Sequence, residues 1–142
     1  MPGAADLYRA IVLDHGKRPR NLGRLPRASH AADGDNPLCG DAIHVELALA
    51  GDVVAALRFD GECCVLATAS ASLMSERVTG ATAEQARRWT AAMEAFCARG
   101  PQAVPADAAL GDLGAFADVH RHPARVACAL LPWRTLARAL GD

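Results

Sequence analysis

Apolar positions repeat with two periods along the chain, and those periods place the elements. Leu7, Tyr8, Ile11, Val12 and His15 recur at helical spacing, predicting a helix with Asp6 as its N-cap that fades between Gly16 and Pro19. From there to Pro37 the chain carries Pro19, Pro26 and Pro37 with several glycines, the composition of a long surface segment of the kind that carries function. Ile43, Val45, Leu47 and Leu49 alternate with Ala42, His44, Glu46 and Ala48, the period of a half-buried strand that leaves His44 on the open face. Val53, Ala55, Leu57 and Phe59 alternate again beyond the turn Ala50-Gly51-Asp52, so the two runs predict an antiparallel hairpin. After Gly61, the short apolar run Cys64-Val65-Leu66 is placed as a third strand before a helix opens near Thr68.

That helix carries Ser70, Leu73, Arg77 and Val78 and ends at Gly80, a good C′ residue. Thr82-Ala83-Glu84-Gln85 is a capping box that starts another helix, with Ala86, Trp89, Met93 and Phe96 on one side and Gly100-Pro101 as its stop. A loop-rich patch from Asp107 to Asp118 follows, and Pro123 suits the first position of a last helix. Its apolar stripe is narrow: Val126, Leu130, Trp133, Ala137 and Leu140. Pro132 lies inside it and should kink the helix or leave carbonyls unpaired. The expected class is α+β: an N-terminal helix, a small three-stranded antiparallel sheet, then several helices packed on it, in a single domain over 1–142.

Composition narrows the setting. A chain of 142 residues, 51% hydrophobic and 22% charged, can bury a full core without disulfides. Five cysteines are an odd number and argue against an all-paired secreted scaffold. The N-terminus lacks the charged, apolar and cleavage regions of a signal peptide, and no apolar run reaches bilayer length, so a cytoplasmic protein with reduced thiols and no membrane partner is expected. A net charge of −1 gives no global pull toward nucleic acid. The local exception is Lys17, Arg18, Arg20, Arg24 and Arg27, a run without an acid that either steers a partner or is a solvated loop.

The cysteines differ in context. Cys97 extends the apolar face of its helix after Phe96 and reads as a small buried hydrophobe. Cys39 sits in Asn36-Pro37-Leu38-Cys39-Gly40-Asp41, where Gly40 lets the backbone bend so that a thiolate and a carboxylate face one point. Cys64 ends the hairpin, and Cys128 lies off the apolar stripe, so core burial explains it poorly. These three and Asp41 suit tetrahedral zinc, but there is no C-x-x-C, and spacing alone leaves scattered structural thiols as the other reading. A disulfide between the adjacent Cys63 and Cys64 would be strained, and strand alternation would point their side chains to opposite faces. His15 is a core anchor or a site-lining residue, while His120 and His122 read as surface loop. There is no metalloprotease histidine pair, phosphate loop or G-x-S-x-G elbow.

With these motifs in view, the chain resembles the U-type iron–sulfur assembly proteins: the IscU scaffolds, the NifU N-terminal domain and the SufU proteins. The resemblance rests on Leu7-Tyr8, Asp14-His15, Pro19-Arg20-Asn21-x-Gly23, Asn36-Pro37-x-Cys39-Gly40-Asp41, Phe59-x-Gly61-x-x-Cys64 with Ser70-Ala71-Ser72-x-Met74, and Pro123-Ala124-Arg125-x-x-Cys128-x-Leu130. The long segment between Cys64 and Cys128, Ala127 where IscU-type scaffolds have a ligand histidine, and Trp133 make it most similar to the SufU branch. The resemblance implies a Zn²⁺ site of Cys39, Asp41, Cys64 and Cys128, with Cys39 accepting persulfide sulfur from a pyridoxal-phosphate (PLP)-dependent cysteine desulfurase that the protein stimulates. It assigns Arg125 the task of offsetting negative charge beside the reacting thiol, and downstream iron–sulfur assembly proteins are the implied acceptors. The alternative function within the family is a scaffold on which the same cysteines hold an Fe–S cluster. Cys63 stands where the family usually has glycine, and Ala127 and Pro132 are further departures.

Overall fold

The computed structural model describes residues 3–104 and 108–141, without the side chains of residues 4 and 5. Helix α1 (Ala4–Lys17) is capped by Gly3, one turn earlier than Asp6, whose carboxylate instead accepts the Gly3 N–H at 3.4 Å. His15 is its buried anchor, whereas Leu7 at the outer end of the predicted stripe is 54% exposed.

The sheet has three antiparallel strands in the order β1-β2-β3: β1 (His30–Asn36), β2 (Asp41–Ala50) and β3 (Val53–Glu62). The number of strands is as expected, but the third one lies before the hairpin, inside the segment read as a loop. Its sequence, HAADGDN, shows no apolar alternation, because the last helix, α4 (Pro123–Ala139), covers one side of it and Gly34 must stay small there: a Cβ at Gly34 would overlap Thr135 Oγ1. Cys64-Val65-Leu66 is helix start, not strand; Val65 opens α2 (Val65–Val78) with Cys64 as N-cap. The hairpin pairs Ala50 with Val53, and the register slips where Ala48 pairs Ala56 and Leu49 pairs Val54. That bulge leaves Ala55 unpaired and reverses the phase, so Val54 is buried where Val53 and Ala55 were expected inward. Residues 21–23 cover the outer edge of β3, with Gly23 N–H donating to the Phe59 carbonyl at 2.8 Å.

Helix α2 is buried along most of its length because its side chains are small: Ala67, Ala69, Ser70, Ala71 and Ser72 let neighbours approach from several sides. Ser72 Oγ accepts the Arg20 N–H at 2.9 Å, leaving its proton for His15 Nδ1 at 2.7 Å, while Ser70 Oγ donates to the Ala129 carbonyl at 2.6 Å. Helix α3 (Ala83–Arg99) has the expected Thr82–Gln85 capping box. Short 3-10 turns lead to α4 (Pro123–Ala139), which begins at Pro123 and runs on through Pro132. The narrow stripe predicted for α4 is wrong. It packs against β1 and β2 as well as α2 and α3, and therefore buries Cys128, Ala129, Leu131 and Leu136 in addition to Leu130 and Trp133. No described helix is long and apolar enough to cross a membrane.

Candidate metal centre

The β1–β2 turn builds the first part of the site. Asn36 is buried; its carbonyl accepts the N–H groups of Cys39 and Gly40 at 3.2 and 2.9 Å, and its side-chain oxygen accepts that of Leu38 at 3.3 Å. Gly40 then takes φ +74, a left-handed conformation that an L side chain resists. The result is an exposed Cys39 two residues from a buried Asp41, with Cys39 Sγ 3.6 Å from Asp41 Oδ2.

Cys128 arrives from the second turn of α4, and its sulfur lies 3.5 Å from that of Cys39. One ligand atom from each of Cys39, Asp41 and Cys128 lies within 4.8 Å of the other two. Cys64 stands beside this group. Its N–H donates to Asp41 Oδ1 at 2.8 Å, and its sulfur accepts the Ala67 N–H at 3.4 Å as the cap of α2. Burial pushes the Cys128 thiol well up, and hydrogen bonds with Cys39 and Cys64 push it further. Four elements therefore converge: a turn, the start of β2, the cap of α2 and the body of α4.

The donor set fits zinc. In a tetrahedron with Zn–S of about 2.3 Å, neighbouring sulfurs are roughly 3.8 Å apart, close to the separations among Cys39, Cys128 and Asp41. Thiols crowded this closely repel once ionised, and a divalent cation removes that cost. The zinc reading thus has geometric support for three ligands, while the Cys64 sulfur is engaged with the Ala67 N–H.

Other candidates lie elsewhere. Arg125 is exposed in the first turn of α4 and makes no side-chain hydrogen bond or ion pair with a described residue. Cys97 is fully buried, its thiol pushed up to about 12 by burial, as expected of a core residue. His15 is a structural anchor, and burial followed by the nearby Arg20 holds its pKa below the ordinary value. His44 sits between Asp33 and Glu46 at 2.8 and 3.0 Å, which raise its pKa. Of the basic run, Arg18 and Arg20 pair with Asp14 and Arg24 pairs with Asp60. Much of the run's charge is thus spent within the fold. The Asp41–Cys64 bond was not visible in the sequence, where the two are 23 positions apart.

The profile of the NifU-like N-terminal domain matches residues 7–129. The chain belongs to that family. It is 38% identical over 134 residues to the zinc-dependent sulfurtransferase SufU of Bacillus subtilis (strain 168), covering 94% of this chain and 89% of that protein. It is 35% identical over the same length to the iron–sulfur cluster assembly scaffold protein IscU of Streptococcus pyogenes serotype M1, covering 94% of this chain and 82% of that one. The crystal structure of the N-terminal part of a nitrogen-fixing NifU-like protein from Brucella abortus superposes with a TM-score of 0.83 at 28% identity, over 94% of this chain and 91% of that chain. The helix, three-stranded antiparallel sheet and following helices are thus a SufU/IscU-like fold.

Proposed function

We propose that this protein is a zinc-dependent sulfur carrier of the SufU type, which accepts persulfide sulfur from a PLP-dependent cysteine desulfurase for iron–sulfur cluster assembly. The carrying observation is the convergence of Cys39, Asp41 and Cys128 on one point, with Cys64 bonded to the same carboxylate. Zinc held by these four residues would keep their thiols as thiolates at neutral pH. Asp41 is buried and fixed through Oδ1; Cys64 is the N-cap of α2 and Cys128 lies within α4. Cys39 and Cys64 are both exposed, but the Cys64 sulfur caps α2 whereas Cys39 sits on the β1–β2 turn, so Cys39 is the thiol that would move to a partner's persulfide. As a nucleophile, its sulfur attacks the outer sulfur of that persulfide, forming a new S–S bond and returning the partner's cysteine as a thiolate. Arg125, exposed one turn before Cys128 on α4, would add positive charge on that side of the helix without touching the ligand group.

Metal analysis of the aerobically purified protein, followed by persulfide trapping after addition of desulfurase and cysteine, tests this reading. The expected result is a colourless, zinc-containing protein that acquires sulfane sulfur on Cys39. A brown protein containing iron and sulfide would support the cluster scaffold, for which the same three thiols and the similarity to IscU speak.

A further inference from the structure

The turn that carries Cys39 also holds a leucine out in water. Leu38 is 94% exposed, whereas the other exposed large apolar side chains among the described residues, Leu7, Leu13, Leu22 and Val65, lie between 41% and 57%. An apolar residue is out of place there, because tight turns between strands favour glycine, asparagine, aspartate or serine. At that exposure the side chain adds almost no packing to the fold. Its backbone, by contrast, is held. The Leu38 N–H donates to Asn36 Oδ1 at 3.3 Å, and the next two N–H groups donate to the Asn36 carbonyl at 3.2 and 2.9 Å. Asn36 is itself buried, so the turn is anchored from beneath. A second apolar side chain, Val65, directly follows Cys64 and lies against Gly16 at the end of α1. Exposed apolar surface therefore adjoins both exposed thiols of the centre.

We propose that Leu38 is the docking anchor for the cysteine desulfurase, entering an apolar recess beside the partner's persulfide and so aligning Cys39 with it. This rests on the sulfur-carrier reading of Cys39. The occupant follows from chain adjacency: a partner close enough for its persulfide to meet Cys39 Sγ also covers the preceding residue. Burial denied to Leu38 within its own fold is then gained at the interface. Because Asn36 already fixes the turn, little backbone freedom is lost on docking. The leucine touches neither the ligand atoms nor the reacting sulfur. Its effect therefore falls on how much protein is needed for docking and not on the rate once docked.

The test is a titration of the zinc-loaded chain into a fixed amount of desulfurase with saturating cysteine, following alanine release. Leu38→Ala should raise the half-maximal concentration about tenfold, and Leu38→Asp should raise it further. Leu38→Met, which keeps an apolar side chain of similar size, should stay near wild type. Maximal stimulation, zinc content and Tm should be unchanged in all three. Leu7→Ala, at the opposite end of α1 from Gly16, should leave the half-maximal concentration as it is. An unchanged half-maximal concentration in both Leu38→Ala and Leu38→Asp would overturn the anchor and leave the carrier reading standing. A lowered maximum at unchanged half-maximal concentration, or loss of zinc, would also overturn it, by placing Leu38 in the chemistry or the structure of the centre. An equal rise in Leu7→Ala would overturn it as general stickiness. A wild-type chain that gives no stimulation and gains no sulfane sulfur on Cys39 would overturn the carrier reading, and the anchor with it.

Discussion

The backbone N–H of Cys64 donates to Oδ1 of Asp41 at 2.8 Å, while Oδ2 of the same carboxylate lies 3.6 Å from Cys39 Sγ. One aspartate thus ties the cap of α2 to the β1–β2 turn and sets the spacing of thiols that are distant in sequence. Asp41 is buried, whereas Cys39 on the other side of the contact is exposed.

Asp41→Ala should weaken zinc binding by at least about tenfold, through loss of both a ligand and the group that orients Cys64. Asp41→Asn keeps an acceptor for the Cys64 N–H without the charge, and should fall between wild type and alanine. Competition with a chromophoric zinc chelator measures both.

Cys39→Ser should abolish stimulation of the desulfurase, whereas Cys97→Ser should leave stimulation and zinc content intact. The latter places a hydroxyl in a fully buried site and should cost about 1–3 kcal/mol in denaturant unfolding. A loss of zinc in Cys97→Ser would show that the core and the centre are not separable.

Two histidines should give opposite pH dependences. His44 has a raised pKa from Asp33 and Glu46, so its contribution to stability is complete below about pH 6.5 and is lost as the pH rises through the folded value. His15 is held neutral by burial, with a lowered pKa, so its contribution is present above about pH 6.5 and lost as the pH falls. Urea unfolding of His44→Gln and His15→Gln, each compared with wild type from pH 5 to 8, should show differences that shrink toward high pH for the first and toward low pH for the second.

Gly34→Ala should destabilise the fold by about 1–3 kcal/mol, because its Cβ would overlap Thr135 Oγ1 where α4 crosses β1. Adding Thr135→Ala should recover part of that loss, a coupling that a double-mutant cycle reads directly.

Stripping the metal with a strong chelator should lower Tm, since binding to the folded chain alone adds to its stability. The shift should shrink in Cys128→Ser, which loses an interior ligand.

Much of this molecule was legible in its residue order. Period and capping signals located α1, the β2–β3 hairpin, α3 and the start of α4, because each depends on neighbours within a few positions. β1 was not legible: its residues are polar or small, and its strand form comes from pairing with β2 and from α4 lying across Gly34. The bulge at Ala55 was equally invisible, since it is a matter of register between strands. Local context also separated Cys97 from the other thiols, and the cysteine flanks marked Cys39, Asp41, Cys64 and Cys128 as one candidate set.

What residue order could not decide was which thiols meet. Convergence of Cys39 and Cys128, 89 positions apart, is made by α4 packing against the sheet, and the place of Cys64 by its bond to Asp41. Long-range packing also set the Cys63 thiol against the Ala42 carbonyl and left Arg125 on the surface. Local periodicity and capping are short-range and can be read from the chain; a shared site depends on contacts that exist only once the helices have closed over the sheet.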